Sequence, residues 1–110
     1  MSSEFYHMET LGQILKSKRE SKGLLLRHVA AYMDIDQAIL SKIEKGCRKP
    51  SKENINKLSE ILEIDRDKLM IQFLSEKIAY EIAEEDCASE ALVVAEKKVK
   101  LIKEQNKKLI

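Results

Sequence analysis

The chain has 110 residues, of which 35% are charged and 5% aromatic, with three glycines, one proline and a net charge of +1. That length allows one small domain plus one added element around a single modest core. So few aromatics, glycines and prolines argue against a β-sandwich and for an all-α protein, and apolar runs such as Leu24–Leu26 and Ala91–Ala95 are far too short to span a membrane.

The amino terminus shows no basic-then-apolar export pattern, so the expected location is the cytoplasm. Cys47 and Cys87 form no metal or redox motif and are expected as free thiols. No glycine-rich phosphate loop, paired metal ligands or nucleophile–base signature is present, and His7 and His28 lie in no catalytic setting. The expectation is therefore no enzyme, no metal and no cofactor.

Residues 1–9 lack periodicity and read as a flexible tail. Thr10 then caps a helix over residues 11–21, with Leu11, Ile14 and Leu15 inward and Gly23 as its stop. A second short helix covers 26–33. Asp34-Ile35 makes a tight turn into Asp36, whose carboxylate suits it to cap a third helix. That helix has a narrow apolar stripe of Ile39, Leu40 and Ile43, with small, amide-bearing or cationic residues elsewhere. Gly46 ends it, and the basic loop Cys47-Arg48-Lys49-Pro50 follows. A helix of about ten residues, buried on one side and polar on the other, fits the major groove of DNA. Ser51 caps a fourth helix over 52–62, with Ile55, Leu58, Ile61 and Leu62 inward. Asp65 caps a fifth, which carries Leu69, Ile71, Phe73 and Leu74.

Net charge conceals a polarised chain. Lys16, Lys18, Arg19, Lys22 and Arg27 against Glu20 give residues 13–28 a charge of +4. Residues 37–57 also carry +4, whereas residues 58–90 carry −7. A local basic field attracts phosphates whatever the total charge.

Helix, short turn and second helix make a helix-turn-helix. Gly23-Leu24, Val29-Ala30, Ile35, Leu40-Ser41, Ile43-Glu44, Gly46 and Pro50 stand in one register. Together they make residues 10–74 resemble the lambda-repressor-like family, of the Cro or xenobiotic-response-element type. The resemblance implies a five-helix DNA-binding domain in which Gln37, Ala38, Ile39 and Lys42 stand nearest the base edges. Ser41 is small enough to let the backbone approach. It also implies that Arg19 braces Glu44, as structural support for the third helix. Lys45, Arg48 and Lys49 are expected on phosphates, setting register without reading sequence. The chain departs from the family at Leu25 and Leu26, where a threonine and a phosphate-binding glutamine are common; Arg27 stands in reach as a substitute.

Residues 75–110 are a C-terminal helical extension. Ile78, Tyr80 and Ile82 continue a helical pattern, and Asp86 is placed to cap a last helix. In that helix Leu92, Ala95, Val99, Ile102, Asn106 and Leu109 fall at alternating steps of three and four, the spacing of a coiled-coil seam. So short a helix must pack either back onto the fifth helix or across a dimer. Family members usually bind DNA as dimers, so Leu92, Ala95, Val99 and Ile102 are the expected dimerisation residues.

The reading is a sequence-specific transcriptional regulator of bacterial type that binds double-stranded DNA. It acts as a homodimeric repressor or controller on a near-palindromic operator. The alternative is a protein-interaction module, such as an antitoxin whose C-terminal tail binds a protein partner.

Overall fold

The structure, a computed structural model, describes residues 9–108; the tail expected over residues 1–9, with His7, and Leu109 of the seam lie largely or wholly outside the described residues. Among those described there are six helices and no strand: α1 Leu11–Ser21, α2 Leu26–Met33, α3 Gln37–Glu44, α4 Lys52–Leu62, α5 Arg66–Ile82 and α6 Ala88–Lys108. The chain divides into two compact units, residues 1–77 and 78–110.

Local chemistry sets most helix ends in the first unit. Thr10 accepts the Gln13 amide while the Gln13 side chain accepts the Thr10 amide, at 3.2 and 2.8 Å, a reciprocal cap. Ser51 and Asn54 repeat the arrangement at the start of α4. Asp65 opens α5 by accepting from the Lys68 amide at 3.0 Å. Asp36 occupies the cap position of α3 with extended backbone, but its carboxylate makes no capping hydrogen bond, contrary to expectation.

Four helices stop in the same way. Each is followed by a left-handed residue, and the next amide reaches back to the last turn. After α3, Gly46 (φ +80°) donates to the Ile43 carbonyl and Cys47 donates to that of Lys42. After α1 the pair is Gly23 and Leu24. The same turn after α2 is made by Asp34 (φ 57°) with Ile35, and after α4 by Glu63 (φ 54°) with Ile64.

The core of this unit joins Leu11 and Leu15 of α1, Val29, Ala30 and Met33 of α2, and Leu40 and Ile43 of α3. Ile55, Leu58 and Leu62 of α4 and Leu69 and Phe73 of α5 complete it. α3 packs on α1 and α2, and α4 packs on the same two helices. Leu40 is fully buried, so truncating it to alanine removes about 2–5 kcal/mol. α5 does not end near Leu74 but runs on to Ile82. Within its extra length Glu76 accepts from the Leu11 amide at 2.8 Å, placing a carboxylate on the positive end of α1.

In the second unit, the last helix begins at Ala88, and the carbonyl of Cys87, not of Asp86, accepts its first backbone bond from Ala91. Every described residue of α6 is exposed except half-buried Ala88. No described helix is long and apolar enough to cross a membrane.

Candidate nucleic-acid interface

α2, a three-residue turn at 34–36 and α3 form the helix-turn-helix. The turn places Ile35 half-buried against the core, while Asp34 takes the left-handed conformation that reverses the chain. Lys57 on α4 donates to the Met33 carbonyl at 3.3 Å, so a cation meets the negative end of α2. Tyr32 on α2 donates its hydroxyl to Glu60 of α4 at 2.7 Å. That bond to a carboxylate pushes the Tyr32 phenol above its ordinary value.

α3 is held from behind by α1. The Arg19 guanidinium forks onto Glu44 through two bonds of 2.8 and 3.0 Å, and its third donor reaches the Leu24 carbonyl at 3.0 Å. The two side chains are 12% and 6% exposed, so the pair is largely out of water. The bond to Glu44 raises the Arg19 pKa further above its ordinary value; burial opposes it, and the charges of Glu44 and Glu20 add to it. Gly12, in the first turn of α1, lies against the carboxyl end of α3. A Cβ there would meet the Glu44 carbonyl group and stand 2.8 Å from the Ile43 carbonyl oxygen. Only a glycine lets the two backbones approach this closely.

The outward side of α3 carries Gln37, Ala38 and Lys42, all exposed. Ile39 and Ser41 are half-buried, and Ile39 packs against the core, so these two are less open to a ligand than the other three. Arg27, Lys45, Arg48 and Lys49 are exposed. Among the described residues, none of these four nor Lys42 forms an ion pair within the chain. The remaining cations of the basic segments are partly spent: Lys16 meets Glu20, Arg19 meets Glu44, Lys22 meets Glu63 and Lys57 meets Glu53. The uncompensated positive charge therefore includes the first turn of α2, α3 and the loop after it. That is an arrangement suited to a polyanion with readable edges.

Leu25, 47% exposed at the start of α2, offers no side-chain acceptor or donor there. Arg27, in the same turn, is the exposed cation closest in sequence to it. Cys47 is an exposed thiol in the basic loop, and His28 is exposed. No cluster of potential metal ligands occurs among the described residues. Gly12, Glu76 and Lys57 were not singled out by sequence. Gly12 did leave a signal, because a glycine in the first turn of an otherwise regular helix marks a close approach.

Two helices joined by a short turn, the second clamped at its back and exposing amide and cationic groups, define a helix-turn-helix of the DNA-binding class. The profile of the helix-turn-helix family matches residues 15–69, half of the chain. The chain belongs to this family, of the lambda-repressor-like, Cro type, whose members are DNA-binding transcriptional regulators and in general not enzymes. It is 38% identical over 64 residues to the HTH-type transcriptional repressor RghR of Bacillus subtilis (strain 168), an overlap of 57% of this chain and 47% of that one. It is 36% identical over 64 residues to the HTH-type transcriptional regulator RghRB of the same organism, covering 57% of this chain and 46% of the relative. The chain thus matches about half the length of these curated relatives. Among solved structures it resembles the clp gene regulator ClgR from Corynebacterium glutamicum, with a TM-score of 0.53 and 29% identity over 72% of this chain and 83% of that one.

Proposed function

We propose that this regulator is a homodimeric repressor that recognises a near-palindromic operator in the cytoplasm and needs no cofactor. Residues 10–74 serve as a five-helix DNA-binding domain, and residues 75–110 as a helical extension that joins two copies through Leu92, Ala95, Val99 and Ile102. Two α3 helices enter successive major grooves about 34 Å apart. Gln37 pairs with adenine, Ala38 meets a thymine methyl and Lys42 reaches guanine acceptors, with Ile39 and Ser41 shaping the close approach. Arg27, Lys45, Arg48 and Lys49 hold phosphates and fix the register. Arg19 and Glu44 support α3 from behind.

The observation that carries this reading is the clamped α3. Its exposed Gln37, Ala38 and Lys42 lie in a stretch of chain whose neighbouring cations Lys45, Arg48 and Lys49 form no ion pair among the described residues. Repression is favoured by the likeness to RghR, which is a repressor. Selection of bound fragments from a random DNA pool at near-physiological salt tests the proposal. The expected result is an enriched motif of two inverted halves centred about one helical turn apart. Purely salt-sensitive binding with no enriched motif would remove the operator reading.

A further inference from the structure

Within the second unit, α6 carries a regular amphipathic stripe of exposed side chains. Leu92 and Val99, at 45% and 50% exposure, share a stripe with Ala88, Ala95, Ile102 and Asn106 along a helix about 31 Å long. In heptad terms Leu92, Val99 and Asn106 occupy a, and Ala88, Ala95 and Ile102 occupy d. The flanking e positions are then Ser89, Glu96 and Lys103, and the g positions are Ala91, Lys98 and Gln105.

We propose that α6 pairs with α6 of a second copy in antiparallel orientation, with Val99 opposite the partner's Ile102. This rests on the homodimer reading above and specifies how its two chains meet. The flanking charges select the arrangement. In a parallel pair in register, g faces e of the next heptad, so Lys98 meets the partner's Lys103 on both sides of the seam. In an antiparallel pair, e faces e and g faces g. With Val99 opposite the partner's Ile102, Glu96 meets the partner's Lys103 twice, once from each chain, and Lys98 meets the partner's Gln105. Sliding by one heptad, so that Val99 faces the partner's Ala95, brings Glu96 onto the partner's Glu96 and Lys98 onto the partner's Lys98. Of these three arrangements, the antiparallel pair with Val99 opposite the partner's Ile102 alone is free of like-charge contacts.

The seam composition agrees. Asn106 falls opposite the partner's Ala95, where a methyl leaves room for the amide to stay hydrated. A parallel pair would match Asn106 with itself, a contact that favours parallel dimers. That contact lies in the final turn described, while the two lysine–lysine contacts it must offset lie mid-helix. Glu96 is already 3.5 Å from Lys100 of its own helix, with both side chains more than two-thirds exposed, so it is free to share its carboxylate across the seam.

The test is sedimentation equilibrium of the full chain at low salt, comparing wild type with Lys103→Glu, Glu96→Lys and their equimolar mixture. Antiparallel pairing predicts that each variant alone raises the dimer dissociation constant about tenfold, because two attractive contacts become repulsive. The mixture recovers wild-type affinity as a heterodimer, since every Lys then faces a Glu. A parallel pair predicts the opposite for Lys103→Glu, which would tighten by meeting Lys98. Tightening, or a wild-type dimer indifferent to all three samples, overturns the antiparallel seam and leaves the homodimer reading standing. A wild-type chain that stays monomeric overturns both.

Discussion

Arg19 on α1 grips Glu44 at the last turn of α3 through a two-bond fork of 2.8 and 3.0 Å, across 25 positions of sequence. The pair fixes the pitch of α3 against the helix behind it. Removing one partner strands the other charge in a poorly hydrated site. Arg19→Ala or Glu44→Ala should each cost about 2 kcal/mol in urea unfolding, below the range for a fully interior pair because the guanidinium keeps an edge at the surface. The double variant should cost less than the two single changes added together.

Gly12 sets the same contact by what it lacks. An alanine gains up to about 1 kcal/mol of helix propensity, which at an exposed site would stabilise the protein. Here its methyl would run into the Glu44 carbonyl group, and backbone does not yield as a flexible side chain does. Gly12→Ala should therefore destabilise by about 2 kcal/mol or more. A neutral result in thermal unfolding would mean that α1 and α3 are not seated this closely.

These two contacts mark what a sequence can and cannot disclose. Thr10 with Gln13 and Gly23 at a helix end are legible because their partners lie within a few residues. Ser51 is equally legible as a cap, although its reciprocal partner is an asparagine rather than the usual acid or glutamine. The Arg19–Glu44 fork was foreseen only through family resemblance, since nothing local ties position 19 to position 44. Glu76 on the first amide of α1 was invisible, because nothing local ties position 76 to position 11. Asp36 errs the other way. It has the chemistry of a cap and stands at the cap position, but its carboxylate does not turn onto the helix. Within the candidate site, Ile39 shows the limit of a stripe read from a short helix. One side chain was assigned both to the apolar stripe and to the bases, and it sits half-buried against the core.

The left-handed helix stops carry a prediction with two signs. Gly46 holds φ +80° without strain, so Gly46→Ala should cost about 1 kcal/mol although nothing crowds the site. Glu63 holds φ 54° with a side chain that disfavours it. Glu63→Gly should stabilise by about 0.5–1 kcal/mol, the loss of its exposed contact with Lys22 weighing little. Both are measured by the midpoint of chemical unfolding.

Tyr32 offers a pH-dependent readout of the α2–α4 contact. Its phenol titrates above the ordinary tyrosine value because the neutral hydroxyl donates to Glu60. A raised folded-state pKa means the contribution is complete below the unfolded value, near pH 10, and is lost as pH climbs through the folded one. Glu60→Gln should bring the Tyr32 titration back toward its ordinary value in an ultraviolet pH titration. An unchanged titration would place the hydroxyl elsewhere.

Base-reading and phosphate-holding residues should separate in binding measurements. Gln37→Ala or Lys42→Ala should each cost about 1–3 kcal/mol on the selected site and relax preference at one base pair. Both side chains are exposed and neither supports the core, so the folded state should be unaffected. Arg48→Ala should weaken binding to all sequences alike and reduce the slope of log affinity against log salt by about one unit. Ile39→Val separates the two demands on that residue. Shortening it should lower stability by about 1 kcal/mol through lost packing, with a smaller effect on sequence preference than either Gln37→Ala or Lys42→Ala. If Gln37→Ala and Lys42→Ala both left the selected sequence unchanged, α3 would not be the reading helix, and the cations of α2 and the loop would account for DNA binding through the backbone alone.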